Sequence, residues 1–262
     1  MNDDKIISEI KGSTGHIIFN NPKKMNAVSL EMWQEATRVI EEMAKDPAVR
    51  VLVISGAGKK AFISGADISK FESERATQEG VDLYNRTSET FRATLIGFPK
   101  PVIAKISGYC IGGGVNVAAG CDIRICDERS SFGVPAAKLG LGYGYTGVKR
   151  VASLVGIANT MEIFFTARQF TAAEAYDMGL VNRVVPSALL DAFVDDYTRR
   201  ISENAPLTMA AIKASAQEVF KSPDTPDLER IDKMVQACFD SEDYIEGRRA
   251  FMEKRKPEFK GQ

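Results

Sequence analysis

The chain reads as an α/β protein of repeated strand–strand–helix (ββα) units closed by a helical C-terminal region. Three observations predict this. The apolar, β-branched run from Pro101 to Ile106 meets the glycines Gly108, Gly112, Gly113 and Gly114, and a small-residue, helix-compatible run follows from Val115. That is the order of a buried strand turning tightly into a helix. A unit of similar make-up lies upstream, where the apolar run Val49 to Ile54 and a glycine-rich connection lead into Ser64-Gly65-Ala66-Asp67-Ile68. From Ser187 onward the pattern is wholly helical. No linker-like or low-complexity segment divides the chain, so the expected organisation is a ββα core over 1–186 and a helical region over 187–262.

In chain order, Lys5 to Ile10 and His16 to Asn20 are β-like runs joined by the turn-rich Lys11 to Gly15, and they predict a hairpin. Asn21-Pro22-Lys23-Lys24 breaks the pattern. Ser29 then suits the N-cap of a helix carrying Leu30, Met32, Trp33, Ala36 and Ile40, which Asp46-Pro47 ends. Val49 to Ser55 is apolar except for Arg50, as in a strand covered on both faces. Ser69 to Gly80 is polar and fits either a solvated charged face or a mobile segment beside a pocket. Val81 to Ile96 is helical by pattern, and Phe98-Pro99-Lys100-Pro101 leads into the central strand. Asp122 to Cys126 and Leu180 to Val185 predict further strands. Helices are expected near Val148–Leu154, Ile157–Phe165 and Ala172–Met178, the last with Thr171 and Glu174 at capping-box spacing. The helical end comprises Ala188–Glu203, Pro206–Phe220 and Leu228–Asp240.

Composition excludes several classes. With 44% hydrophobic and 26% charged residues in 262, the chain is an ordinary globular protein with enough length for a large core. A net charge of −1 and no interleaved basic–aromatic patch argue against nucleic acid and anionic membranes as partners. No apolar run approaches the roughly 20 residues of a membrane span. The start Met1-Asn2-Asp3-Asp4-Lys5 has neither signal-peptide nor presequence character, so a cytoplasmic location is expected. Cys110, Cys121, Cys126 and Cys238 form no C-x-x-C pair and read as free core thiols. With His16 the single histidine, at a strand start, neither a metal site nor serine–histidine chemistry is expected.

The two glycine turns carry the chemistry. Their glycines fit a tight packing turn, or a site where a ligand meets bare backbone and the free N–H groups of a helix start. At this cluster the nucleotide-binding motifs fail on spacing, since Gly108, Gly112, Gly113 and Gly114 do not make G-x-G-x-x-G and no G-x-x-x-x-G-K-[ST] occurs. A pair of turns that could each present an N–H is what an oxyanion hole requires.

Together S-G-A-D-I at 64–68, G-x-x-x-G-G-G at 108–114 and N-P-x-x-x-N-A at 21–27 resemble the crotonase (enoyl-CoA hydratase/isomerase) superfamily, over about Gly15 to Gly261. The resemblance implies stacked ββα turns, a C-terminal helical trimerisation region, and a homotrimer or hexamer. It implies an acyl-CoA thioester as substrate, no cofactor beyond the coenzyme A it carries, and an oxyanion hole from the Ala66 and Gly113 N–H groups. Ser64, Gly65, Asp67, Ile68 and Gly112 would complete the two turns. Lys24 and Ala27 would meet the nucleotide end of CoA. Phe251 and Lys254, within a stretch holding five Lys/Arg between Arg248 and Lys256, would reach the adenosine phosphate, often across a subunit boundary. A solvated basic tail is the other reading of that stretch.

One departure matters. Hydratases of the family carry glutamates in G-G-G-x-E and F-G-x-P-E, and here Asn116 and Ala136 stand in those places. Hydration uses such a pair to move a water proton and an α-carbon proton. An amide cannot accept a proton near neutral pH and a methyl can do neither task. The expectation is thus an enolate-stabilising thioester enzyme, a lyase or isomerase, in which ordinary hydration is poor. Leu139-Gly140-Leu141-Gly142-Tyr143 resembles the loop of methylmalonyl-CoA decarboxylases, where a tyrosine contacts the substrate carboxylate, although those enzymes have histidine where Ala66 stands. Tyr143 is therefore read either as the polar group of a decarboxylase or as aromatic packing, with Lys138 and Tyr145 as weaker candidates. A non-catalytic acyl-CoA- or RNA-binding homologue is the rival from another class.

Overall fold

The computed structural model describes residues 4–67, 70, 77–219 and 227–262. Strands β1 (Ile6–Lys11) and β2 (Thr14–Phe19) form the expected hairpin, with Ile6 opposite Phe19 and Lys11 opposite Thr14. Its turn is tighter than the sequence suggests, because Gly12 adopts φ +59° and lets Gly12-Ser13 alone close it. Helix α1 (Leu30–Lys45) starts at Ser29, whose Oγ accepts from the Met32 N–H at 3.4 Å. One face of α1 buries Met32, Trp33, Ala36, Val39, Ile40 and Met43, the 3.6-residue stripe of a core-facing helix.

The spiral comes from strands taken in pairs. A six-stranded sheet has the order β1-β2-β3-β5-β7-β10, with β3 at Val51–Gly56, β5 at Val102–Ile106, β7 at Ile123–Asp127 and β10 at Arg183–Val185. It is parallel from β2 onward. A second sheet has the order β4-β6-β8-β9, formed by Ala61–Ile63, Tyr109–Ile111, Ser131–Gly133 and Phe170–Thr171. Each turn of the spiral gives one strand to each sheet and then a helix. These helices are α2 (Gln78–Gly97) after β4, α3 (Gly113–Gly120) after β6 and α4 (Tyr145–Thr166) after β8.

Here the sequence reading needs a correction. The central strand does not run directly into the glycine cluster; Ser107-Gly108 first turns the chain into β6. Gly108 (φ +72°) makes that turn, and a Cβ there would lie 2.1 Å from the Lys60 carbonyl oxygen. A strand as short as β6 is too brief for its alternation to register. Similarly, the two helices expected on either side of Gly156 are one element, α4, kinked at that residue (φ +75°, ψ 168°). Leu180 and Val181 precede the last strand rather than belong to it.

Parallel strands covered on both faces read as continuous apolar runs, and β3 shows why. Its Val51 and Val53 pack with Ile103 and Ile125 beneath Leu190 and Val194 of α6 (Leu190–Ser202). Leu52 and Ile54 point the other way, into the main core with Trp33, Phe62, Phe91 and Val115. Helix α5 (Ala172–Asp177) has the predicted capping box, with the Glu174 N–H donating to Thr171 Oγ1 at 3.2 Å and the Thr171 N–H to Glu174 Oε2 at 2.8 Å. Helices α7 (Pro206–Glu218), α8 (Leu228–Asp240) and α9 (Glu242–Glu253) form the C-terminal region. Among the described residues no helix is long and apolar enough to cross a membrane.

Buried acids that stay protonated give an alkaline stability limit. Burial pushes the Cys121 and Cys126 thiols from 9.0 up to about 12, and the Tyr143 phenol from 10.0 to about 12. Above about pH 9 the unfolded chain releases these protons while the folded chain retains them, so stability falls as pH rises toward 12. Thermal melts are expected to be lower at pH 10.5 than at pH 8, with the difference reduced in Cys121→Ala/Cys126→Ala.

Candidate active site

The Ser64–Asp67 turn is held by a parallel bridge between Val28 and Ala66. The Val28 N–H donates to the Gly65 carbonyl at 2.9 Å, and the Asp67 N–H donates to the Val28 carbonyl at 3.0 Å. In such a bridge the central residue's own N–H points away from the partner strand, so the Ala66 N–H faces away from Val28. Gly65 makes the turn at φ +106°. Its Cα lies 3.9 and 3.8 Å from the positions that a Cβ would take on Gly112 and Gly113. The two glycine turns, far apart in sequence, are thus in backbone contact.

On the second turn, the Gly112 N–H donates to the Gly133 carbonyl at 2.8 Å. Gly113 is the first residue of α3, so its N–H has no acceptor within the helix, and it shares the positive end of the helix dipole. The glycines of the cluster divide by role. A Cβ on Gly113 would meet only the Gly65 Cα, at 3.8 Å, whereas a Cβ on Gly114 would lie 2.1 Å from the Ile63 carbonyl oxygen. Gly114 is a packing requirement between β4 and α3. Gly114→Ala is expected to lower the melting temperature by more than 5 °C or to abolish folding, as thermal melts will show, because the clash is with backbone.

Around the first turn, Lys24 Nζ lies 2.9 Å from Asp67 Oδ2, and the Asp67 side chain is buried. Ser64 Oγ donates to the Lys24 carbonyl at 3.4 Å. Two asparagines that the sequence reading left without a role hold this loop. Asn26 is fully buried at φ +55°, and its amide donates to the Ala57 carbonyl at 3.0 Å and the Ala61 carbonyl at 2.7 Å. Its Oδ1 accepts from the Asn21 N–H at 3.0 Å, while Asn21 Nδ2 donates to the Ala27 carbonyl at 2.9 Å. The motif that suggested a nucleotide contact is also a clamp binding residues 21–27 to the start of β4.

Asn116 sits one turn into α3 and is 8% exposed. Its Nδ2 donates to the Tyr143 hydroxyl at 2.5 Å, and its Oδ1 has no hydrogen-bond partner among the described residues. Tyr143 packs edge-on against Phe164, ring centroids 4.7 Å apart. Burial raises its phenol to about 12, so it is neutral across the physiological range and its proton is free to be donated. Tyr143 thus packs as an aromatic residue and also keeps a hydrogen-bonded hydroxyl. Ala136 is buried at the start of a 3₁₀ turn (Pro135–Leu139) and brings no polar atom.

Lys24, Ala27, Ser64, Gly65, Ala66, Asp67, Gly112 and Gly113 thus come together at the two turns, with Asn116 and Tyr143 joined one helical turn beyond. Ile68, and the Glu72 and Glu74 of the polar segment, lie outside the described residues. Phe251 stands elsewhere, 82% exposed on α9, and Lys254 is exposed at that helix's C-terminal end. Phe251 lines a cleft of about 930 Å³ between α7, α8 and α9, with Ile212, Phe239, Tyr244 and Met252, and no residue of the two turns lines it.

The comparisons agree with this architecture. The Enoyl-CoA hydratase/isomerase family profile matches residues 9–262. The short-chain-enoyl-CoA hydratase of Clostridium acetobutylicum is 34% identical over 256 residues, 97% of each chain. The peroxisomal Δ(3,5)-Δ(2,4)-dienoyl-CoA isomerase of Arabidopsis thaliana is 34% identical over 258 residues, 94% of this chain and 92% of its own. The crystal structure of an enoyl-CoA hydratase/carnithine racemase from Magnetospirillum magneticum superposes with a TM-score of 0.94 at 35% identity, covering 99% of this chain and 96% of that one. With its motifs, its two-sheet spiral and these relatives, the chain belongs to the enoyl-CoA hydratase/isomerase family of the crotonase superfamily.

Proposed function

We propose that this protein is an enzyme that binds an acyl-CoA thioester at the junction of the two glycine turns, where the Ala66 and Gly113 N–H groups receive the thioester oxygen and stabilise an enolate. The observation that supports this reading is the contact of Gly65 with Gly112 and Gly113, which sets the turn carrying the Ala66 N–H against the turn that starts α3. Donors fixed before the reaction stabilise developing negative charge without reorganising. Lys24 and Ala27, beside the turn, and Phe251 and Lys254, from α9, are the candidate contacts for coenzyme A. The names of the relatives, hydratases and a dienoyl-CoA isomerase, support the substrate class.

The reaction at the enolate does not use the hydratase carboxylate pair, because Asn116 and Ala136 replace it. A second reading follows from the Asn116–Tyr143 bond, which joins a phenol to the amide that stands at one of the two places where hydratases carry glutamates. A malonyl-type thioester could lose its carboxylate there as carbon dioxide. The electrons of the breaking carbon–carbon bond would enter the enolate, and the Tyr143 phenol would return a proton to the α-carbon. Turnover of crotonyl-CoA, a 3,5-dienoyl-CoA and methylmalonyl-CoA separates hydration, isomerisation and decarboxylation. Binding without turnover of any of the three would leave the non-catalytic acyl-CoA-binding alternative, and absence of binding to all three would defeat the thioester reading.

Assembly belongs to the same proposal. Helix α8 buries no residue, and its Val235 and Phe239 stand exposed beside Phe251 and Met252. An unburied apolar face of this size suits contact with further copies of the chain. Light scattering at micromolar concentration is expected to give three or six times the 28.7 kDa chain mass; a monomer would reject it.

A further inference from the structure

We propose that Gly147 is a positioning residue, whose missing Cβ holds the Asn116–Tyr143 pair in its hydrogen-bonded geometry. Gly147 lies in the first turn of α4, where an ideal Cβ would sit 2.9 Å from Tyr143 Cε1, 3.3 Å from Asn116 Nδ2 and 3.4 Å from Asn116 Oδ1. One added methyl would therefore touch both members of the pair, and among the described residues no atom outside its chain neighbours and its own helix backbone lies as close. Helix preference does not explain a glycine here, because alanine is the better residue inside a helix. The position is not a left-handed one either, since Gly147 is absent from the residues with positive φ.

The neighbouring glycines behave differently. A Cβ on Gly142 or Gly144 would meet nothing within 4 Å. Of the glycines closest to Tyr143, only Gly147 has its empty side filled by the pair. The Tyr143 ring also packs edge-on against Phe164, which restricts the directions in which it can shift. Asn116 is fixed in turn by its place on α3, so a methyl at 147 would separate the phenol from the amide. The role assigned to the pair rests on the proposed thioester chemistry, but the effect of Gly147 on its geometry does not.

The test reads Tyr143 directly. The protein is labelled with tyrosine carrying ¹³C at Cζ, and among its seven tyrosines the Tyr143 signal is identified by its loss in Tyr143→Phe. In Gly147→Ala the Tyr143 resonance is expected to move away from its wild-type position and toward that of Asn116→Ala, which lacks the bond altogether. In Gly142→Ala it is expected to stay in place. The melting temperature of Gly147→Ala should be within a few degrees of wild type. Crotonyl-CoA should bind Gly147→Ala within about twofold of wild type, yet no longer shift the Tyr143 signal. An unmoved resonance in Gly147→Ala overturns the proposal. Loss of the fold in that variant also overturns it, because Gly147 would then be a packing requirement like Gly114. Should crotonyl-CoA fail to bind the wild type, the thioester reading falls, while the ligand-free resonances still decide the role of Gly147.

Discussion

Crotonyl-CoA hydration by this protein is expected to run about 10²–10⁴-fold slower than by a glutamate-bearing relative, the contribution of a positioned general acid or base. The physical reason is the identity of two side chains. Asn116 presents an amide whose nitrogen is engaged with Tyr143, and Ala136 presents a methyl, so no carboxylate at either place can take a proton from water. The two losses should not multiply, because paired acids act as a unit on one water. Asn116→Glu together with Ala136→Glu is expected to raise hydration, followed as loss of the enoyl absorbance, while lowering thermal stability. Both sites are buried, and a carboxylate there meets a desolvation cost. Hydration by the wild type at the rate of a glutamate-bearing relative would show that another acid serves the reaction. Carbon dioxide release from methylmalonyl-CoA that disappears in Tyr143→Phe would establish the decarboxylase reading instead.

A large stability effect is expected at Asn26. Its side chain satisfies the carbonyls of Ala57 and Ala61 and the N–H of Asn21, all from a fully buried position. Each buried backbone group left unpaired costs about 1–3 kcal/mol, so with three such groups Asn26→Ala should lose about 3–9 kcal/mol. For a chain of this size that is a fall of at least about 6 °C in melting temperature. Alanine also tolerates φ +55° less well than asparagine. Asn26→Asp should be at least as damaging, since a carboxylate would face two carbonyl oxygens where the amide donated. Because the same loop carries Lys24 and Ala27, acyl-CoA affinity should fall in parallel. Calorimetric melts and titration with butyryl-CoA check the two effects, and a melting temperature within 2 °C of wild type would contradict the clamp.

Much of the fold was legible because its signals are local. The apolar runs of β3, β5 and β7, the Ser29 and Thr171 caps, and the continuous helical end each follow from a pattern within a dozen residues. The short strands β4, β6, β8 and β9 were not, since two or three residues carry no periodicity, and their pairing is decided by distant neighbours. The kink at Gly156 looked like a helix boundary for the same reason, as a left-handed glycine ends many helices. At the site, the two turns could be read from spacing and residue type, and the absent glutamates from the family resemblance. The Asn116–Tyr143 bond joins residues on α3 and on the loop before α4, so no spacing rule could announce it. Asn26 and Gly147 were invisible as functional positions because their meaning lies in what surrounds them. The first is a polar side chain with three buried partners, the second an empty volume against two side chains.

The most direct measurement is a crystal structure with butyryl-CoA, which offers the thioester but no double bond to hydrate. The thioester oxygen is expected 2.7–3.1 Å from both the Ala66 and Gly113 nitrogens, the range for donors in an oxyanion hole. The acyl chain should point toward Asn116 and Tyr143. A thioester oxygen distant from both nitrogens, or butyryl-CoA lodged only in the cleft between α7, α8 and α9, would contradict the proposed chemistry.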